Sequence, residues 1–460
     1  MVARGDDAAQ NTDIHPRPGV TSIARIVAYA RGLFAEGGIL RALRHRDFRL
    51  YAPAGFVSNM GLWIQRVGVQ WLAWSLTESY AWLAAVALAE AATLMAFLPL
   101  FGALVDRGDR LKLGRLAQAT LIVLAGAFGL LTVFDMVTIW SLIGLMAVYG
   151  TAQAFWTPIR LSMAANLVPR EDLPSAIGMG AVLFNLAQFL GPALAGLVLA
   201  VMGDHRDSIG YLFLINSSTF IGYLIVLCII RLRTVETKRA KDSRFVADLA
   251  EGLRYCLCRE GLGLFMLNML LVNIVLRSHR DLLAGLADGV YGAGVHGFAA
   301  LQSAAGLGAI FGSAFLTKFS RVEGLTRLLL GAALLAALCQ FAITATGNYW
   351  VGIVSVGVLA MFMGFYGIGS QVLVQSAIHG SMRGRVMSLW SMGTRGGPSV
   401  GAWAVGLAAE VWGLRIALAG ATALFLIVVS IVVWPKRKWL AQAMETAPGE
   451  NLPAGMAKRG

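Results

Sequence analysis

Apolar runs alternate with short polar segments along the chain, and twelve such runs follow one another between residues 48 and 434. About 20 helical residues cross the hydrocarbon core of a membrane, and each run reaches that length. The pattern therefore predicts an all-α membrane protein with twelve transmembrane helices. Their expected limits are 48–76, 80–104, 113–134, 137–162, 175–202, 209–230, 262–282, 297–319, 324–346, 349–376, 385–409 and 413–434.

The longest polar connection between these runs, residues 231–261, divides the helices into two sets of six. The sequence thus predicts two pseudo-symmetric six-helix bundles, one at 48–230 and one at 262–434, joined by a cytoplasmic linker. Residues 1–47 are expected to form a cytoplasmic N-terminal extension, and residues 435–460 a cytoplasmic tail.

Two of the segments outside the bundles show helical spacing. In the linker, Phe245, Leu249 and Leu253 recur every four residues among charged positions, which predicts an amphipathic helix at the cytoplasmic surface. In the N-terminal extension, apolar positions between residues 20 and 34 favour a helix on the membrane surface. A disordered extension with chance periodicity is the alternative interpretation there.

The composition excludes a soluble enzyme. Hydrophobic residues make up 57% of the chain and charged residues 14%, and the mean hydropathy is +0.69, so lipid has to be the solvent. The four cysteines and six histidines show no ligand spacing, and no glycine-rich phosphate loop follows a strand. No cofactor, metal site, disulfide framework or catalytic residue is therefore expected.

The net charge of +13 could suggest nucleic acid as a partner, but the basic residues do not cluster in one soluble segment. Most of the Lys and Arg residues fall in the two terminal segments and in every second loop, as in the segment Gly102–Arg115. Cytoplasmic loops carry such an excess, so both termini are expected in the cytoplasm. The pattern thus predicts a multi-pass membrane protein.

Polar residues inside the apolar runs predict a central pathway. On the first helix, Asn59, Trp63, Arg66 and Gln70 fall within one narrow sector. Burying charged and amide side chains in lipid costs free energy, so each of these residues is a candidate for a functional role. Further pathway candidates on other helices are Asn185, Gln188, Asn273, Arg277, Gln371, Gln375, Ser391 and Arg395. Arg280 and Asp281 follow Arg277, and they belong either to the pathway or to the outer rim.

Arg66 and Glu90 lie at the same distance from the turn at Glu78 and should therefore meet near the middle of the membrane. Glu90 is the candidate proton carrier; a purely structural pair is the alternative. Arg66, Arg277 and Arg395 outnumber this acid, which favours an anionic or zwitterionic substrate. The alternatives are arginines that bind backbone carbonyls or close gates, and amides that only join helices.

The fifth and eleventh helices repeat a Gly-Pro step, at Gly191 and Pro192 and again at Gly397 and Pro398. Glycine lets membrane helices approach closely, and proline is tolerated where neighbours satisfy the freed backbone. The repeat predicts a kinked helix where the two bundles meet, with a role in gating.

Several motifs resemble the major facilitator superfamily over residues 43–434, and more narrowly its bacterial efflux branch with the enterobactin exporter and macrolide efflux proteins. The residues that carry the resemblance are LRHRDFRLY (43–51), SNMGLWIQRVGVQWL (58–72), GALVDRGDR (102–110) and HGSMRGRVMSLW (379–390). In the third motif, the resemblance implies conformational gating by Gly102, Asp106, Arg107 and Arg110, although Asp109 replaces a glycine. Solvated, topology-setting charge is the alternative for these residues.

These observations predict a secondary active transporter rather than an enzyme. The resemblance implies a location in the cell inner membrane of a bacterium. There the protein would export a small amphiphilic molecule, siderophore-like or drug-like, by alternating access driven by the proton gradient. We expect a monomer in the lipid bilayer with a small-molecule substrate and no nucleic-acid partner. An importer of the same fold and a non-transporting membrane sensor are the alternatives.

Overall fold

The computed structural model describes residues 40–203, 205–232, 245–316 and 322–445. This part of the chain is all-α and contains twelve long helices, which confirms the expected fold class. Their bounds are α1 Arg46–Thr77, α2 Tyr80–Arg107, α3 Arg110–Val133, α4 Ile139–Leu167, α5 Leu173–Met202, α6 Arg206–Ile229, α7 Leu262–Leu276, α8 Gly294–Leu316, α9 Leu325–Ala345, α10 Tyr349–Ala377, α11 Arg383–Trp412 and α12 Leu414–Val428.

Ten of these helical segments are apolar and long enough to cross a membrane by length and composition, within the described residues. The two that fall short are α1 and α11, because they carry the polar positions of the central pathway. Short turns continue α7 as far as Val290, so this span runs to Leu262–Val290, longer than the sequence predicts. The predicted surface helix between residues 20 and 34 lies outside the described residues.

Capping residues in short turns set where several helices begin. Ser79 accepts a hydrogen bond from the amide of Trp82 at the start of α2, and Asp109 caps α3. Thr138 forms a capping box at α4. These side chains satisfy amide groups that lack a partner in the first helical turn. Glu78 ends α1 in the left-handed region at φ 48°, which makes the sharp turn between α1 and α2.

Between the two sets of six helices, the second helix of each set packs against the fifth helix of the other. These pairs are α2 with α11 and α8 with α5. Glycine allows both approaches. A Cβ atom at Gly306 in α8 would lie 2.7 Å from the carbonyl oxygen of Gln188, and one at Gly406 in α11 would lie 2.7 Å from that of Tyr80.

The glycines of the repeated Gly-Pro step lie elsewhere. Gly191 in α5 packs against Trp63 and Met60 of α1, and Gly397 in α11 packs against Asn273 of α7. Each contact joins the fifth helix to the first helix of its own set, rather than one set to the other. Another glycine of α5, Gly196, does contact the other set, where it packs against Ala299 of α8.

Three short elements lie at one end of the bundle, which we name the linker face; the opposite end is the far face. The linker helix Phe245–Cys258 packs on α11, where Arg385 Nε lies 2.8 Å from Asp248 and Nη1 lies 2.9 Å from Glu251. The tail helix Arg437–Glu445 packs under α9, and Glu445 accepts hydrogen bonds from amides at its start. The turn Arg41–Arg44 contacts the start of α5.

Candidate functional site

Three adjoining chambers lie between the two sets of helices and share Leu94 and Arg395 in part of their lining. The central chamber, about 260 Å³, is lined from α1, α2, the end of α7 and α11. The mouth chamber, about 290 Å³, extends toward the linker face along α1, α4 and α5. The crevice, about 310 Å³, runs between α2 and the first turns of α11. Together they form one candidate substrate pathway.

Arg66 and Glu90 form an ion pair in the lining of both the central and the mouth chambers. Arg66 Nη2 donates to the two carboxylate oxygens of Glu90 at 3.0 and 3.2 Å. The Glu90 side chain is 17% exposed and that of Arg66 is 36% exposed, so the pair faces the cavity rather than lipid. Its position follows from the antiparallel packing of α1 and α2 on either side of the Glu78 turn.

The indole ring of Trp63 lies beside two guanidinium groups. The Cζ atom of Arg66 is 5.5 Å from the ring centroid, and that of Arg280 is 4.8 Å away. Both distances fit cation–π contacts, in which the negative face of the ring attracts the cation. Arg280 comes from the 3₁₀ turn Ser278–Leu282 that follows α7.

The end of α7 contributes more of the lining than its expected limits predict. Arg277, Arg280 and Asp281 all line the central chamber, so Arg280 and Asp281 belong to the pathway and not only to the outer rim. Asp281 accepts a 3.0 Å hydrogen bond from the Ser399 hydroxyl of α11. Arg280 and Asp281 lie inside the membrane-spanning segment because this span continues to Val290.

Positive charge dominates the lining. Five arginines and two acids face the three chambers: Arg66, Arg160, Arg277, Arg280, Arg395, Glu90 and Asp281. Arg277 donates a 2.8 Å hydrogen bond to the Met363 carbonyl, as one of the alternatives proposes for these arginines. Sequence reasoning missed Arg160, which lies within two residues of the expected end of the fourth helix. The helix continues to Leu167, and that added length places Arg160 beside the cavity.

Eight of the predicted pathway residues line the chambers: Asn59, Trp63, Arg66, Gln70, Gln188, Arg277, Ser391 and Arg395. Four others do not appear in the lining: Asn185, Asn273, Gln371 and Gln375. Asn273 is 2% exposed, and its amide donates to the Met269 carbonyl one turn earlier at 2.8 Å. Its helical spacing with Arg277 does not bring it to the cavity, because Gly397 of α11 packs against it.

Hydrogen bonds between the two sets of helices close the cavity toward the far face. Gln302 donates to the Gln70 side chain at 2.7 Å, and Ser79 donates to Glu410 at 2.7 Å. Trp71 stacks on Phe298 at a centroid distance of 6.2 Å. All of these residues lie on the far-face side of the Arg66–Glu90 pair.

Four of the predicted gating residues lie in the last turns of α2 and the first turn of α3. Gly102 and Arg110 lie at the ends of these helices, and a Cβ atom at Gly102 would meet nothing within 4 Å. Asp109, which stands where the resemblance expects glycine, accepts hydrogen bonds from the amides of Leu111 and Lys112 at 3.0 and 3.2 Å. The side chains of Asp106 and Arg107 lie outside the described part of the structure.

The Gly-Pro steps of α5 and α11 are the other predicted gating residues. Pro398 lines the central chamber, whereas Pro192 is buried within α5.

No cluster of three or more His, Cys, Asp or Glu side chains that could hold a metal ion occurs within the described residues.

The sequence model of a family described as "Transmembrane secretion effector" matches residues 38–455. The staphyloferrin A transporter of Staphylococcus aureus is 22% identical over 374 residues, which cover 80% of this chain and 90% of that protein. Macrolide efflux protein A of Streptococcus pyogenes is 26% identical over 184 residues, which cover 38% of this chain and 44% of that protein.

Two solved structures show the same fold at low sequence identity. A bacterial homolog of the human lysosomal transporter Spinster has a TM-score of 0.66 and 14% identity, with 87% of this chain and 98% of that chain covered. A nucleoside transporter has a TM-score of 0.62 and 12% identity, with 87% of this chain and 100% of that chain covered.

Proposed function

The chain belongs to the transmembrane secretion effector family within the major facilitator superfamily, and from this premise we propose that it exports a small amphiphilic anion or zwitterion. As a member it is a multi-pass membrane transporter and not an enzyme. Among its relatives are a staphyloferrin A transporter and macrolide efflux proteins. Export of a siderophore-like or drug-like molecule across the bacterial inner membrane is proposed by analogy with them.

The excess of arginine in the cavity carries the substrate proposal. Five arginines and two acids line the three chambers, and one of these arginines, Arg66, is paired with Glu90. In a cavity with low-dielectric walls, this imbalance attracts anions and repels cations. Apolar side chains in the crevice, such as Met387 and Met392, favour a molecule that also has an apolar part.

The arrangement of contacts supports alternating access. Hydrogen bonds such as Gln70–Gln302 join the two sets near the far face, while the mouth chamber and the crevice lie toward the linker face. We assign the linker face to the cytoplasm, because basic residues at the helix ends concentrate there. Both termini would then be cytoplasmic. The described basic residues at this face include Arg41, Arg44, Arg46, Arg49, Arg110, Lys112, Arg115, Arg170, Arg383, Arg385 and Lys436.

Glu90 is the proposed proton carrier. Its carboxylate is held by Arg66 and faces the cavity, which gives a proton a route to it. In the proposed exchange, Glu90 carries a proton inward in one half-cycle. In the half-cycle that carries the substrate outward, Glu90 is deprotonated and its ion pair with Arg66 is restored, so proton entry is coupled to substrate exit without any cofactor.

Flux in proteoliposomes of the purified full chain tests the proposal. The assay compares octanesulfonate with octyltrimethylammonium, which have the same tail and opposite charge, with and without an imposed pH gradient. We expect flux of the anion, faster with the gradient, and little protein-dependent flux of the cation. A preference for the cation would contradict the substrate proposal, and equal rates with and without the gradient would contradict proton coupling.

A further inference from the structure

Arg160 of α4 and Arg395 of α11 face the mouth chamber from opposite sets of helices. The two guanidinium groups are close enough for the charge of Arg160 to act on Arg395. Within the described residues, neither side chain has a hydrogen bond or an ion pair. Arg160 does contact the ring of Phe184, with its Cζ atom 5.6 Å from the centroid.

Two of the other cavity arginines have hydrogen-bonded partners, whereas the side chain of Arg280 has only the ring of Trp63 within the described residues. Arg66 is held by Glu90, and Arg277 donates to a backbone carbonyl. Guanidinium groups with five donors are normally satisfied by carboxylates, carbonyls or water. Two unpaired arginines that line the same chamber repel each other, and an anion between them would remove that repulsion.

An apolar surface adjoins Arg395. Arg395 lines the crevice as well as the mouth chamber, and the remainder of the crevice is largely apolar. Methionine side chains are flexible and polarisable, and they adapt to ligands of different shape. The apolar residues of the crevice are Leu94, Met95, Leu98, Pro99, Met387 and Met392.

We propose that Arg160 and Arg395 together bind the single oxyanion head group of an amphiphilic substrate, whose apolar tail lies in the crevice between α2 and α11. This inference rests on the proposed function and narrows its substrate to amphiphiles with a carboxylate, sulfonate or phosphate head. Two guanidinium forks fit the oxygens of such a head from both sides. A bridged anion also allows the two sets of helices to approach at the linker face.

Binding to the purified full chain in phosphatidylcholine nanodiscs tests this subsite. Octanesulfonate remains anionic at every accessible pH, and its affinity is measured from the rise in unfolding temperature with ligand concentration. We expect the affinity of Arg160→Gln and of Arg395→Gln to fall by at least about tenfold, because each loses a charge-assisted contact. Arg254→Gln, at an exposed position of the linker helix, is the matched control and should bind as the wild type does.

The tail is tested separately with a series of sulfonates. In the wild type, affinity should rise about two- to fourfold for each added methylene between propanesulfonate and octanesulfonate. Met387→Ser should flatten this dependence while it leaves the affinity for propanesulfonate unchanged. Unfolding temperatures without ligand show whether each variant folds, and Arg254→Gln, outside the crevice, is again the control.

The outcomes separate this subsite from the proposed function. If both arginine variants bind octanesulfonate as tightly as the wild type, the subsite is wrong, and anion flux by the wild type would still support export. If propanesulfonate binds as tightly as octanesulfonate, the tail assignment is wrong. If the wild type transports the matched cation instead of the anion, the proposed function fails and this inference fails with it.

Discussion

Trp74 of α1 donates a 2.8 Å hydrogen bond from its indole nitrogen to the carboxylate of Asp288, at the far-face end of the span that begins with α7. The bond joins the first spanning segment of one set of helices to that of the other. Trp74 is 5% exposed, so water cannot fully replace the carboxylate as a partner for the indole N–H when this bond breaks. We interpret this contact as part of the closure at the far face.

Replacement of Trp74 by phenylalanine should therefore favour opening at the far face. Phenylalanine keeps an aromatic ring, although a smaller one, and lacks the donor; loss of the hydrogen bond removes about 1–2 kcal/mol from the closed state and shifts the ratio of states about five- to thirtyfold. The measurement is labelling of an Ala87→Cys thiol in the central chamber by a membrane-impermeant reagent added from the far side. Trp350→Phe, at a position that is 72% exposed, is the control. Equal labelling in Trp74→Phe and in the wild type would contradict this role.

Glu90→Gln should abolish transport driven by a pH gradient while substrate exchange continues. Glutamine can still accept a hydrogen bond from Arg66, but it cannot release a proton in this pH range. Flux in proteoliposomes with and without the gradient measures both activities. Asp207→Asn, at an exposed position at the start of α6, is the matched control. A pH dependence of flux like that of the wild type in Glu90→Gln would mean that the ion pair is structural.

Gly401→Ala should destabilise the packing of α11 against α7. A Cβ atom at Gly401 would overlap the carbonyl group of Ile274, so the two helices would have to separate. Such overpacking costs about 1–3 kcal/mol, which a lower unfolding temperature in detergent would report. Gly331→Ala in α9 is the control, since nothing lies within 4 Å of its added Cβ and alanine favours a helix. Equal unfolding temperatures for the two variants would argue against this close contact.

The two thiols of the linker helix should react at different rates. Cys256 is 3% exposed and burial raises its pKa to about 11, whereas Cys258 is exposed. Only the thiolate reacts, so with Cys228 and Cys339 replaced by serine, Cys256 should label slowly at pH 8 and faster as the pH approaches its pKa.

The same assay tests how the linker helix is held. Arg385→Ala removes the ion pairs with Asp248 and Glu251, and labelling of Cys256 should rise severalfold as the helix loosens from α11. Lys438→Ala, an exposed substitution on the tail helix, provides the comparison. Fast labelling of Cys256 at pH 8 in the otherwise unchanged chain would show that the linker helix does not dock as described.

The turn between α1 and α2 shows why part of the site could be predicted. Arg66 and Glu90 lie twelve residues on either side of Glu78, and antiparallel helices joined by a tight turn must bring such positions to one depth. The structure pairs them at 3.0 Å. Their role in coupling stays a prediction, because depth and proximity do not distinguish a proton carrier from a structural pair.

Asn273 and Arg160 show where sequence reasoning stopped. Asn273 shares a helical face with Arg277, yet its amide bonds to its own helix, and contact with Gly397 keeps it from the cavity. Arg160 lies near an expected helix end and was not among the predicted pathway residues, but the longer helix places it in the mouth chamber. Helix length and the rotation of each helix against its neighbours decided both cases.

The sequence by itself determined that the chain folds into long apolar helices and roughly where each begins and ends, because lipid requires long apolar segments whose backbone groups are satisfied internally. It also placed a surplus of arginine at membrane depth. Only the tertiary structure decided which of these charges meet. Pairing between helices depends on rotation and on close approach at glycines such as Gly306 and Gly406, and one-dimensional periodicity does not encode either.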